Sequence, residues 1–210
     1  MNTVQDQDER RSEKTSTTRR RRELHDRLVL AAEAEIADAG LANLRARSLA
    51  ETVGCSVGAI YGVFPDLDAL ILAVNGRTLD AIDRAMQAAG HGRSPADHLA
   101  RLADAYLDYA AANRHRWNAL FQHQMPEGRP ITAWYAERQV AAFSNIEAPL
   151  AALRPGLSAK KRALLARTLF SAVHGMVELG LTEKVMAMPL PVLREQVRLI
   201  VRAIANGLPP

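Results

Sequence analysis

Six histidines (His25, His91, His98, His115, His123 and His174) and one cysteine, Cys55, are the side chains of this 210-residue sequence best suited to acid–base, nucleophilic or metal chemistry. Their spacing does not use it. The sequence holds no CxxC, HExxH or GxSxG motif and no phosphate-binding glycine loop. His115 and His123 are eight residues apart and can share a helix face, but a lone pair is not a ligand set. No catalytic residue, metal or cofactor is expected, and an enzyme is the disfavoured class. The chemistry that the residue types do allow is recognition of DNA, and it is concentrated in the stretch SLAETVGCSVGAIYGVF, residues 48–64.

In that stretch Leu49, Ala50 and Val53 share one face of a short helix. Gly54 stands where a tight turn needs positive φ, which glycine adopts freely. Cys55 can tuck into the turn as a small apolar group, and Ser56 is placed to cap a second helix. Ile60 and Val63 turn that helix's inner face to the core. Its outer face keeps Ser56, Val57, Gly58, Ala59 and Tyr61: small groups that allow close approach to base edges, plus a phenol that can reach a phosphate. Main-chain N–H groups and Ser56 at its start can hold phosphate. Arg45 and Arg47 flank the first motif helix and are further candidate phosphate contacts. The bland alternative is an ordinary pair of packed helices.

These pieces need a scaffold, and the rest of the chain reads as helix. Hydrophobic residues make up 48% of the sequence, enough for a sizeable core. Alanine and leucine dominate without alternating runs, which favours helices over strands. Residues 1–18 are polar and read as a disordered tail, followed by the arginine run Arg19 to Arg22. A first helix is expected from Leu24 to Gly40, with short helices near 47–53 and 57–63. Longer ones follow near 66–89, 95–112, 114–123, 131–153 (interrupted at Pro149), 158–180 and 190–206. The expected architecture is all-α with about nine helices: a tail at 1–18, a three-helix DNA-binding domain at 19–72 and a helical bundle at 73–210. The last two helices are apolar on more than one face, so they need partners on two sides. They are either central in the core of one chain or shared with a second subunit, and Leu165, Leu169, Val197, Ile200, Val201 and Ile204 are the residues read as a homodimer interface.

Charge and cysteine bound the setting. The net charge is +4, yet residues 1–64 carry ten basic and ten acidic side chains, so bulk charge does not argue for DNA binding. A single cysteine allows no internal disulfide, which fits a reducing cytoplasm. No secretory signal follows the N-terminus, and no run reaches the ~18 apolar residues of a membrane span. A soluble, cytoplasmic protein without a membrane partner is expected.

The run Leu49-Ala50, Val53-Gly54-Cys55-Ser56, Gly58-Ala59-Ile60-Tyr61 and Phe64, followed by Asp68-Ala69-Leu70, resembles the DNA-binding module of the tetracycline-repressor (TetR) family over residues 21–72. Trp117-Asn118-Ala119-Leu120-Phe121 and Val173-His174-Gly175 are similar to one C-terminal subgroup. The chain departs from the family's pattern at Leu67, often a phosphate-binding lysine, and at Gly62, commonly larger and polar. The resemblance implies that the arm holding Arg21 and Arg22 reaches phosphates or the minor groove. It further implies that residues from about 75 onward form a ligand-binding and dimerisation domain. Tyr106, Trp117, Phe121, Trp134, Phe143, Phe170 and His174 are the candidates to line an apolar cavity for a small-molecule effector, with Tyr109, His123, Met125, Tyr135 and Met176 among the same cluster. Gly175, a glycine in mid-helix, suggests a close neighbour. The implied function is a repressor of double-stranded operator DNA released by a small, largely apolar ligand, with the 66–89 helix transmitting the change. An activator, a co-ligand-dependent regulator and a helical dimer without DNA activity remain open alternatives.

Overall fold

The computed structural model describes residues 3–182 and 187–207, with side chains from residue 15 onward. All regular structure among the described residues is helical. Helix α1 spans Thr3–Ala39, α2 Ala46–Val53, α3 Val57–Val63, α4 Leu67–Ala88 and α5 Pro95–Ala112. Helix α6 spans Arg114–Gln122, α7 Ala133–Leu153, α8 Ala159–Leu181 and α9 Leu190–Gly207. A 3-10 turn, Leu41–Asn43, links α1 to α2.

The helix ends follow local chemistry. Ser94, Ser158 and Asp66 cap α5, α8 and α4, each accepting a hydrogen bond from the backbone N–H three residues on. Pro95 then occupies the first turn of α5, where no intrahelical N–H is needed. Two expectations meet differences here. Helix α1 reaches back to Thr3 through residues expected as an unstructured tail. A segment rich in Gln, Glu, Lys and Arg adds turns readily to a helix already nucleated beside it. Residues 1 and 2 of that tail lie outside the described residues, as do 183–186 and 208–210 of the expected bundle. Helix α7 also runs unbroken through Pro149, which is buried next to Leu150; packing outweighs the lost backbone bond.

Two cores share the molecule. The first joins Leu28, Ala32 and Ile36 of α1, Leu49, Ala50 and Val53 of α2, Ile60 of α3 and Leu70, Ile71 and Val74 of α4. The second joins Ile82 and Met86 of α4 with α5, Trp117 of α6, Ile146 and Leu150 of α7, and the inner faces of α8 and α9. They meet inside α4, and Ala119 of α6 belongs to the first core although its neighbour Trp117 belongs to the second.

Three of the six residues expected at a subunit interface are turned inward. Leu169, Val197 and Val201 are buried inside the chain's own core, and Leu165, Ile200 and Ile204 pack half-buried against it. The outward apolar residues are instead Leu164 (66% exposed) and Leu179 on α8, and Val192 and Leu199 (62% exposed) on α9. Helix α8 has the length and mean hydropathy of a membrane-crossing helix, and 28% of that stretch is buried inside the chain. Among the described residues, nothing beyond its own helix lies within 4 Å of where a Cβ at Gly175 would sit, so they do not supply the close neighbour expected there.

Candidate nucleic-acid interface and ligand cavity

The recognition unit is assembled by the turn between α2 and α3. Gly54 takes the left-handed conformation (φ 71°, ψ 47°). The Cys55 N–H then reaches the Ala50 carbonyl at 2.9 Å, closing the end of α2 and reversing the chain. Cys55 packs half-buried against the first core. Ser56 Oγ accepts from the Ala59 N–H at 3.1 Å, so the hydroxyl both starts α3 and keeps a proton to donate outward. Ile60 and Phe64 fall on the buried side, Phe64 stacked on His25 of α1 at 4.7 Å. Arg27 of α1 donates to the Val53 carbonyl at the end of α2. Sequence reasoning missed both ties from α1, because they depend on how α1 lies across the motif.

The outward face carries the expected residues. Val57 is 38% exposed and Tyr61 49%, with Ser56 and Gly58 exposed and Ala59 half-buried. Arg47 projects at 89% side-chain exposure, loosely paired with Glu51 at 3.8 Å. Arg45 is partly committed: its Nη1 donates to the carbonyls of Ala42 and Leu44 at 2.7 and 2.9 Å, fixing the entry to α2. Arg21 and Arg22 are exposed on α1. Gly62 faces solvent with nothing among the described residues within 4 Å of a Cβ position, so none of their packing requires a glycine there. The surface is small-sided and carries arginines, suited to phosphate contact and close approach in a groove.

A second site lies in the other core. A cavity of about 270 Å³ is bounded by Leu79, Ile82 and Met86 of α4, Tyr106 of α5, Leu120 and Phe121 of α6, Phe170 of α8, and a stripe of α7 from Tyr135 to Ile146. Four of the seven candidates, Tyr106, Phe121, Phe143 and Phe170, line it, while Trp117 and His174 join the same aromatic cluster without being part of the lining. Phe121 lies 4.1 Å from the His174 ring, Phe170 stacks on His174 at 5.6 Å, and Phe143 meets Phe170 edge-on at 5.2 Å. Trp117 Nε1 donates to the Tyr106 hydroxyl at 2.9 Å, and that hydroxyl lies 2.9 Å from His174 Nδ1. Burial pushes the Tyr106 phenol well above its ordinary value, against the Trp117 hydrogen bond, and burial lowers His174 against the pull of Glu178. Both groups are therefore neutral near pH 7, and the chain is satisfied by Trp117 donating to Tyr106 and Tyr106 donating to His174.

The seventh candidate, Trp134, is placed elsewhere. Its indole lies over Gly76 of α4 with Arg138 at 5.2 Å from its ring, on a surface groove beside α1. His123 is also outside the cavity: its Nε2 meets Asp68 Oδ1 of α4 at 3.0 Å. That contact belongs to a set fastening α6 to the first core. Arg116 pairs with Glu33 at 2.5 Å, His115 Nδ1 donates to the Ala37 carbonyl at 3.0 Å, and Asn75 donates to the Ala119 carbonyl at 3.3 Å. Just beyond α6, Arg129 pairs with the α4 cap Asp66 at 2.6 Å. Helix α6 thus has Leu120 and Phe121 on the cavity and Ala119 in the other core.

Residues 99–204, just over half of the chain, match the family described as tetracyclin repressor-like, C-terminal domain. The chain belongs to the TetR family of transcriptional regulators. As a member of that family it is a DNA-binding regulator. The fold recurs in solved structures. A protein of unknown function from Rhodococcus sp. RHA1 superposes with a TM-score of 0.70 at 22% identity, over 88% of this chain and 95% of that one. A TetR transcriptional regulator from the same organism gives 0.63 at 18% identity, over 89% and 99%. The TetR-family regulator PfmR from Thermus thermophilus gives 0.59 at 19% identity, over 87% and 99%. At these identities the likeness carries the fold alone. No curated protein matches the chain. TetR-family regulators are generally not enzymes.

Proposed function

We propose that this TetR-family chain is a homodimeric repressor that grips operator DNA through α3 and releases it when a small, largely apolar molecule fills the aromatic cavity. One observation carries the reading. The nine-residue helix α6 presents Leu120 and Phe121 to the cavity while Ala119, Arg116 and His123 hold α1 and α4. A ligand pressing on one side of so short a helix must displace the other or pay in broken contacts. Displacement shifts the support of α3, so ligand and operator select different arrangements and oppose each other's binding. Helix α4, expected as the transmitting element, takes part because it lines the cavity with Ile82 and begins directly after α3.

The homodimer rests on the outward apolar residues Leu164, Leu179, Val192 and Leu199, which leave α8 and α9 each with an uncovered face. A second copy covers such faces and gives the two-fold symmetry that successive major grooves demand. Arg167 and Glu178 within α8 are ill suited to lipid.

The test is titration of the purified protein against DNA from its own upstream region, then release by a ligand library. Val57→Glu places a carboxylate at the exposed start of α3 without touching the core, so specific binding is expected to vanish while the fold persists. Equal binding by this variant would remove α3 as the reading helix. A promoter fusion gives the sign: loss of the gene raises expression for a repressor and lowers it for an activator.

A further inference from the structure

We infer that the cavity selects uncharged ring compounds of about a dozen heavy atoms that carry one hydrogen-bonding oxygen, and that Tyr135 and Gln139 are the residues that orient them. The inference rests on the reading of this cavity as the effector site.

Three observations converge. First, no charged side chain among the described residues lines the cavity. The neighbouring charges on α7 and α4 are engaged elsewhere: Arg138 donates to Asp80 at 3.0 Å and sits over Trp134, and Asp83 accepts from Asn145 at 2.6 Å. A carboxylate brought into this space loses its water and meets no counter-charge, and the Glu178 carboxylate that acts on Tyr106 opposes it further, so it is rejected. Second, the Tyr106 hydroxyl is already committed to Trp117 and His174, both at 2.9 Å. It shapes the wall without serving a ligand. Third, the remaining polar groups on the lining are the Tyr135 phenol and the Gln139 amide. Neither has a hydrogen-bond partner among the described residues. They stand four residues apart on one face of α7, in register with Ala142, Phe143 and Ile146, which also line the cavity. Burial pushes the Tyr135 phenol up to about 12, so it stays a neutral donor. Gln139 adds two N–H donors and a carbonyl.

The rest of the wall sets shape. Phe121, Phe143 and Phe170 offer ring faces and edges to a flat apolar body. A cavity of about 270 Å³, filled at the density of protein interiors, holds about a dozen heavy atoms.

The experiment uses three probes of nearly equal shape with the full-length protein: 2-acetonaphthone (neutral, one carbonyl), 2-naphthoate (anionic) and 2-ethylnaphthalene (no oxygen). Affinities are read by calorimetry and by the shift in thermal midpoint. The ketone is expected to bind about 100-fold or more tightly than the naphthoate. Gln139→Leu, and separately Tyr135→Phe, should weaken the ketone by about tenfold while leaving the hydrocarbon unchanged. If the naphthoate binds as tightly as the ketone, or if the two variants weaken ketone and hydrocarbon alike, the selectivity inference is overturned while the effector site stands. If a substitution that fills the space, Ala142→Phe, leaves binding of every probe unaltered, or if no probe binds at all, the effector site falls and this inference with it.

Discussion

Replacing Arg47 by alanine separates its proposed phosphate contact from fold stability, because the side chain is 89% exposed and its described partner is Glu51 at 3.8 Å. An exposed pair that long contributes next to nothing to stability, so the thermal midpoint should not move. On DNA the consequence is different. Each lysine or arginine that neutralises a phosphate adds about 0.9 to the slope of log affinity against log salt. A two-fold dimer presents Arg47 twice, so the variant should lower the slope by about 1.8. Relative to a 1 M reference, that is about 60-fold in affinity at 0.1 M salt. The assay is fluorescence anisotropy of a labelled operator fragment across a series of salt concentrations, with Lys160→Ala on α8 as a charge-matched control that should leave the slope alone. The loss should fall equally on operator and unrelated DNA, since phosphates carry no sequence information. An unchanged slope would refute the placement of Arg47 on the backbone. A loss confined to the operator would mean that it reads bases. Arg45 is the less informative target: its guanidinium also holds the Ala42 and Leu44 carbonyls, so its removal mixes folding with binding.

Four further outcomes follow from individual contacts. Gly62→Ala adds a methyl to an open helical position and should stabilise the protein by about 0.5–1 kcal/mol in denaturant unfolding; a loss would show that the small residue serves packing. Gly180→Ala should cost about 1–3 kcal/mol, because the new Cβ would lie 2.6 Å from Cδ1 of the fully buried Leu193; an unchanged unfolding midpoint would mean that α8 and α9 separate freely. Asp66→Ala should cost about 1 kcal/mol at neutral pH through loss of the α4 cap. The Ala69 N–H, then Arg129, hold the Asp66 carboxyl below 3.8, so its contribution is present above 3.8 and fades as pH falls through the lower folded value; the gap between wild type and variant should narrow in acid, and a constant gap would contradict this. Leu199→Glu should leave the fold intact and shift the protein to monomer in sedimentation, with weaker operator binding, whereas a dimer that survives would place the subunit interface elsewhere.

What could be read without coordinates was whatever short-range chemistry decides. Helix starts at Ser56, Asp66, Ser94 and Ser158, the positive-φ turn at Gly54, and the small outward face of α3 each depend on residues within one or two turns of each other, so the geometry of the α2–α3 unit was legible from residues 48–64. Aromatic residues were also sound guides to the second core, since six of the candidates meet around Tyr106 and His174.

The limits appear where one helix offers two apolar faces. Periodicity shows that α8 and α9 are apolar on more than one side but not which side is inside; tertiary packing turned Leu169, Val197 and Val201 inward and left Leu164 and Leu199 outside. Neighbouring residues on a helix point about 100° apart, so Tyr135 reaches the cavity while Trp134 lies on Gly76, a difference that composition cannot register. Gln139 carries no sequence signal of its own and becomes meaningful only because α7 places it on the cavity lining with Phe121, Phe143 and Phe170. The fastening of α6 to Glu33, Ala37 and Asp68 joins residues 55 to 83 positions apart. Local propensity therefore determined the helices and the recognition motif, while the choice of buried face, the cavity and the coupling between the two cores arose from long-range packing, which depends on how whole helices cross rather than on any residue's neighbours in the chain.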